Sequence, residues 1–221
     1  MNLLEAIESR HSVRRYKDKE IEHGIVDQLI NYIIQCNDQS GLHIQLILNE
    51  PEAFSSKLAT YGMFSNVSNY IAIVGKKNQN LEETVGYYGE KIVLKAQQLG
   101  LNTCWVALTY SKSKTRIIIE DDEKLYIVIA LGYGQNQGHP HKSKTFNQVV
   151  KGENHPEWFI KGVEAALKAP TAVNQQSFVF YIKDDIPYVK AGLGFHSKID
   201  LGIVKYHFEI GSGRKVQLKK D

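Results

Sequence analysis

Apolar residues Leu3, Leu4 and Ile7 recur on one side of residues 2 to 9, and Asn2 and Glu5 stand ahead of them with the spacing of a capping box. That pattern predicts a short amphipathic helix. A second predicted helix carries Ile25, Val26, Leu29, Ile30, Ile33 and Ile34 on one broad face. "LHIQLIL" alternates as a half-buried strand, and "YIAIV" is apolar throughout, as a more fully buried strand is. Residues 80 to 99 place Leu81, Val85, Tyr88, Ile92 and Leu99 near helical spacing, with Gly100 as the stop. Strands follow at "TCWVAL" and "KLYIVIALGYG". From about Gln135 to Pro156 the texture changes to Gly, His, Lys, Asn and Ser, which reads as a connecting segment over the surface. Beyond it "EWFIKGVEAALKA" predicts a helix, "SFVFYIK" a strand and "KIDLGIVKYHFEIG" a helix closed by Gly211. Mixed elements in this order argue for an α+β or α/β sandwich.

Residues 25–48 and 159–182 both run helix, polar turn, strand, in nearly equal length. Few identities coincide, so a faint structural repeat and a chance likeness of two helix-strand units both fit.

Composition narrows the class. With 221 residues and 43% hydrophobic content the chain can bury roughly 70 to 75% of its extended surface. Lys+Arg 27 against Asp+Glu 24 leaves a formal charge of +3, too small for a dedicated nucleic-acid binder, although "GRKVQLKKD" is locally basic. Cys36 and Cys104 stand far apart without a CxxC, so neither a disulfide framework nor a zinc site is indicated, and a reducing cytoplasm fits. No signal-peptide pattern occurs, and runs such as "YIVIAL" are far short of a membrane span. A soluble cytoplasmic protein without a membrane partner is expected.

The segment "AIESRHSVRRY", residues 6–16, concentrates cations around one serine. If residues 10–14 leave the helix and run extended, Arg10, Ser12 and Arg14 share one face. Two guanidiniums and a hydroxyl converging in this way match phosphate oxygens, and His11 on the other side can add a backbone or ring donor. Taken alone, the segment reads more readily as a solvated surface. "GYGQNQG" has GxGxxxG spacing with no helical pattern after it, which does not suit a dinucleotide turn. His139, His141 and His155 lack an acidic or thiolate companion, so they are expected to be solvated and no metal site is assigned.

A short helix followed by "SRHSVRRY" resembles the opening of the FMN-dependent nitroreductase family, whose Arg-x-Ser-x-Arg/Lys holds the flavin phosphate and ribityl chain. "LGLNTCWVAL" is similar to the family's segment along the flavin, and "IVIALGYG" to the strand and glycine turn that follow. "HKSKTF" stands where a basic residue completes the phosphate site. The resemblance covers most of residues 1–150 and implies an α+β, nitroreductase-like sandwich of a mainly antiparallel sheet with helices.

Family members carry an Ala-Pro-Ser-x-x-Asn-x-Gln-Pro-like turn soon after the second helix, and in their homodimers it reaches the flavin held mainly by the other subunit. Here that place reads "QCNDQSGLHIQ", and the turn stands instead at 169–176 as "APTAVNQQ". The second helix-strand unit has no Arg-x-Ser-x-Arg before it. The ending "KIDLGIVKYHFEIG" resembles that of a small nitroreductase subgroup with this arrangement. The expectation is therefore a flavin-phosphate half at 1–150 and a C-terminal half at 151–221 that replaces the dimer partner. A single-chain pseudo-dimer and a swapped homodimer both satisfy it.

The resemblance implies these roles. Arg10, Ser12 and Arg14, with His11, bind phosphate and ribityl oxygens, and Lys142 and Lys144 finish neutralising the phosphate. Trp105, Ala107 and Leu108 line the ring, while Pro170, Thr171 and Asn174 contact it from the far side. No protein residue is assigned as catalytic, because the flavin carries the chemistry. The activity implied is hydride transfer from NADH or NADPH to nitroaromatic, quinone or related small-molecule acceptors by ping-pong exchange. A flavin reservoir or sensor without turnover, and a degenerate domain used only for protein contacts, are the alternatives.

Overall fold

The computed structural model describes residues 1–77 and 79–218. In chain order its elements are α1 (Leu3–Ser9), α2 (His23–Ser40), β1 (His43–Ile47), α3 (Glu52–Ser55), α4 (Lys57–Thr60), β2 (Asn69–Lys76), α5 (Glu82–Gln98), β3 (Asn102–Val106), β4 (Glu123–Gly132), α6 (Phe146–Val149), α7 (Glu157–Ala166), β5 (Phe178–Lys183), β6 (Ile186–Ala191), α8 (Ser197–Ser212) and β7 (Gln217–Leu218). They gather into two compact units that interleave along the sequence. A central unit contains Arg10–Leu81 and Ile92–His139, and a C-terminal unit contains Met1–Ser9, Glu82–Lys91 and the chain from Pro140 onward. Mixed helices with mainly antiparallel sheets realise the expected α+β class. Among the described residues no helix is long and apolar enough to cross a membrane.

The central unit is built on a sheet of order β1-β2-β4-β3, antiparallel at every pairing. Seven successive residues of β2 from Asn69 are buried, as the unbroken apolar run of "YIAIV" requires of an inner strand. Against one face lie Phe54, Phe64, Tyr70 and Tyr110 together with Val13, Tyr16, Cys104 and Val106. α2 packs on the edge strand β1. It buries Leu29, Ile33 and Cys36, whereas Ile30 and Ile34 are 41% and 51% exposed. The predicted face is thus wider than the covered one, because a single edge strand meets only one stripe of a helix.

The C-terminal unit carries the sheet β5-β6-β7 and the helices α1, α6, α7 and α8. Phe159, Phe180 and Phe208 form its aromatic centre, with Phe180 stacked on Phe208 at 4.8 Å and Phe159 edge-on to both. The first half of α5 and α8 touch backbone to backbone. A Cβ on Gly86 would fall 1.9 Å from the Ile199 carbonyl oxygen, and one on Gly202 would fall 2.0 Å from that of Glu83. Contact this close admits only glycine at both positions. α8 does not end at Gly211 as the sequence suggested. It runs on to Ser212 and is closed by Gly213 in the left-handed conformation, because Gly211 is an interhelical contact, with space for a Cβ blocked 2.6 Å away by Ala165.

Candidate functional site

The cationic segment leaves α1 at Ser9 and runs beside β3, joined by a parallel bridge between Ser12 and Thr103 and by the Val13 N–H donating to the Thr103 carbonyl at 3.0 Å. Tyr16 anchors the far end. Its ring is buried, its hydroxyl donates to the Val13 carbonyl at 2.7 Å, and its N–H donates to Ser65. Gly138, at φ +71, lies so close over the segment that a Cβ there would meet the His11 Cβ at 2.7 Å. The path is therefore fixed by backbone bonds and close packing on several sides.

Cys104 on β3 marks where the side chains point. Burial pushes its thiol up, and three effects oppose that: the Arg14 charge, a hydrogen bond from the Ser12 hydroxyl, and the Arg10 charge. Ser12 is thus beside the Cys104 thiol, and the charges of both arginines are felt there. Arg10 is buried, Ser12 and His11 are half-buried, and Arg14 is exposed. Trp105 is half-buried beside Cys104, Ala107 is half-buried just past the end of β3, and Leu108 is 61% exposed. Two guanidiniums and a hydroxyl, with Arg14 exposed to solvent, suit a phosphate group by charge and by donor type.

The other predicted residues lie in the C-terminal unit. Pro170 and Thr171 are half-buried and lead into a 3-10 turn at Ala172–Asn174. Val173, Asn174 and Gln176 have φ of 45°, 54° and 45°. Such backbone costs about 1 to 3 kcal/mol per residue and is an outlier for a β-branched side chain. Asn174 is exposed, and its amide donates to the Lys142 carbonyl at 2.8 Å. Lys144 donates its N–H to the Gln176 side-chain oxygen at 2.6 Å and its ammonium to the Gln176 carbonyl at 2.9 Å. Lys142 and Lys144 therefore stand together with Asn174, both exposed. His141, expected to be solvated, is half-buried with Nε2 3.0 Å from the Leu167 carbonyl.

Sequence reasoning missed Gln175, Gln176 and Asp200. Gln176 is 1% exposed and its amide donates to the Leu167 carbonyl. Asp200, in the first turn of α8, is 6% exposed. Its two oxygens accept from the Ala172 N–H at 3.0 and 3.1 Å, and one also accepts from the Gln175 amide at 2.7 Å. Burial pushes its carboxyl up to about 6, with the Gln175 and Ala172 hydrogen bonds pulling the other way. An acid inside the apolar run "KIDLGIV" was the available signal.

The sequence matches the family described as "Putative TM nitroreductase" over residues 2–212. A "Putative NADH dehydrogenase/NAD(P)H nitroreductase" of Methanothermobacter thermautotrophicus is 25% identical over 155 residues, 62% of this chain and 81% of that protein. The crystal structure of a "putative nitroreductase" from Thermotoga maritima covers 100% of this chain and 90% of its own, with a TM-score of 0.72 at 23% identity. Another, from Desulfovibrio desulfuricans and in complex with FMN, covers 71% of this chain and 99% of its own, with a TM-score of 0.55 at 15% identity. With the match running through nearly the whole sequence, the chain belongs to this nitroreductase family.

Proposed function

We propose that the protein is an FMN-dependent oxidoreductase that draws on NADH or NADPH and reduces small conjugated acceptors such as nitroaromatics and quinones in a ping-pong cycle, acting in the cytoplasm. The observation that carries the reading is that the Ser12 hydroxyl and the charges of Arg10 and Arg14 all act on the Cys104 thiol of β3. The FMN held by the Desulfovibrio relative and the nicotinamide in the name of the Methanothermobacter one support the choice of cofactor and reductant.

When bound, FMN supplies the hydride acceptance and electron transfer. The chain's residues bind and orient. Arg10 and Arg14 neutralise the phosphate with forked donors, Ser12 donates to it or to a ribityl oxygen, and His11 contributes a backbone or ring donor. Lys142 and Lys144 add positive charge. Trp105, Ala107 and Leu108 line one side of the ring, and Pro170, Thr171 and Asn174 serve the other, where the Asn174 amide can pair with a polar ring edge. A guanidinium near that edge also stabilises negative charge that builds up on reduction. In this reading residues 1–150 provide the phosphate half, and 151–221 supply the contribution that a homodimer takes from its partner, within one chain or by a swap.

The deciding experiment is the absorption spectrum of the purified protein, with the released flavin identified after denaturation, followed by NADH and NADPH oxidation with a nitro or quinone acceptor. A flavin spectrum, FMN on release and acceptor-dependent turnover are expected. Colourless protein that takes up no FMN at micromolar concentration overturns the reading, and bound FMN without turnover replaces the enzyme by a flavin carrier or sensor.

A further inference from the structure

We infer that Asp200 is the positioning residue of the flavin-contacting turn: by holding Ala172 and Gln175 it keeps Val173 and Asn174 in the left-handed conformation, which the branched Val173 side chain disfavours. The inference rests on the FMN reading and names a residue through which that site is regulated.

Three donor contacts carry it. The Ala172 N–H lies within 3.1 Å of both carboxyl oxygens, and the Gln175 amide lies 2.7 Å from one of them. The carboxylate thus grips the turn on either side of the left-handed pair Val173 and Asn174. Asp200 is itself fixed, because it is buried and its N–H donates to the His196 carbonyl at 3.0 Å. Gln175 passes the constraint onward: its amide donates to the Phe195 carbonyl at 2.6 Å, and its oxygen accepts from the Phe195 N–H at 3.2 Å. The clamp therefore joins the turn to the loop before α8.

Only the ionised acid suits this pattern. Every group facing Asp200 from the turn is a donor, so a protonated carboxyl oxygen loses part of its capacity to accept. From the turn these groups are the Ala172 N–H and the Gln175 amide, both uncharged; on its own side the neighbouring titratable group is His196, whose burial favours the neutral ring. Burial raises the carboxyl, and these donors to its charged form oppose that rise.

The test compares the full-length protein with Asp200→Asn, which keeps the shape and replaces one acceptor by a donor. Hydrogen exchange read by mass spectrometry on a peptide spanning 170–177 is expected to accelerate roughly tenfold or more in the variant at pH 7.5, with peptides from α7 unchanged. FMN affinity is expected to fall by a similar factor. Unchanged exchange overturns the clamp, whereas faster exchange with unaltered FMN affinity overturns its role in flavin binding. If the wild type takes up no FMN, the cofactor reading falls and the flavin role with it, while exchange still decides the clamp. Should Asp200→Asn fail to fold, Gln175→Ala decides: faster exchange over 170–177 supports the clamp, and unchanged exchange overturns it.

Discussion

His207 on α8 and Glu90 on α5 lie 2.9 Å apart, ring Nε2 to carboxyl oxygen, with both side chains fully buried. The other ring nitrogen stands 3.1 Å from the Ala165 carbonyl on α7. A carbonyl only accepts, so Nδ1 carries a hydrogen, and a single proton is held between Nε2 and Glu90. One imidazole thus ties three helical segments of the C-terminal unit.

Glu90→Ala should remove that acceptor and leave His207 Nε2 buried opposite a void. The expected loss is about 3 to 5 kcal/mol, the range for breaking a buried pair by deleting one partner. Guanidinium unfolding curves measure it, and a loss below about 1 kcal/mol would mean the pair is not buried in solution.

Gly202→Ala should drive α8 off the first half of α5, since the added carbon would sit 2.0 Å from the Glu83 oxygen. A cost of about 1 to 3 kcal/mol or more is expected from such overpacking. Gly24→Ala is the control. Nothing lies within 4 Å of a Cβ at that position, so a gain of about 0.5 to 1 kcal/mol follows from helix propensity. Equal melting temperatures for the two variants would contradict the contact.

The acid of Asp200 gives a signed dependence of stability on pH. Its folded value, pushed up to about 6, lies above the ordinary 3.8. Between those limits the native state binds the proton more tightly than the unfolded chain, so this group's contribution falls as pH rises from about 4 through 6. The full swing is on the order of 3 kcal/mol. The stability difference between wild type and Asp200→Asn, taken at pH 4.5 and 7.5, should shift toward the variant at the higher pH. A constant difference would show that Asp200 titrates normally.

Both thiols should be silent in the native state. Cys36 and Cys104 are buried and in no disulfide, and the Cys104 thiol is raised despite its cationic neighbours. Since the thiolate is the reactive form, a disulfide reagent at pH 7.5 should label neither within minutes and both after denaturation. Rapid native labelling would indicate that the strand edge opens.

Arg14→Ala should weaken FMN binding roughly tenfold while changing stability by less than about 0.5 kcal/mol, as befits an exposed side chain. Arg10→Ala should reduce both, because Arg10 is 3% exposed. Identical stability in the two variants would remove the distinction between the buried and the exposed arginine.

Features with local causes were legible in the sequence. The α1 cap closes within four residues, with the Asn2 N–H donating to Glu5 at 2.8 Å and the Glu5 N–H to Asn2 at 2.9 Å. The expectation that Arg10, Ser12 and Arg14 share one face came from strand-like alternation alone. β6 escaped notice because Pro187 interrupts "IPYVKA". The hairpin is made by Asp184 and Asp185, both left-handed at φ 53° and 59°, and Pro187 pairs across from Ile182. Asp200 was hidden for another reason: its contact with Gln175 spans 25 residues and joins a helix to an irregular turn, which no periodicity encodes.

Helix α1 is made well before most of the unit to which it belongs, which is completed only after Pro140, where it packs on α8 and Glu8 pairs with Lys168. During synthesis that helix lacks its α8 partner until residues 197–212 have left the ribosome. The central unit, apart from the half of α5 that it shares, can gather its strands earlier. Refolding should accordingly end with a slow step of high sequence separation, and a fragment stopping near residue 140 would leave α1 and the start of α5 with their apolar sides open to chaperones or to one another.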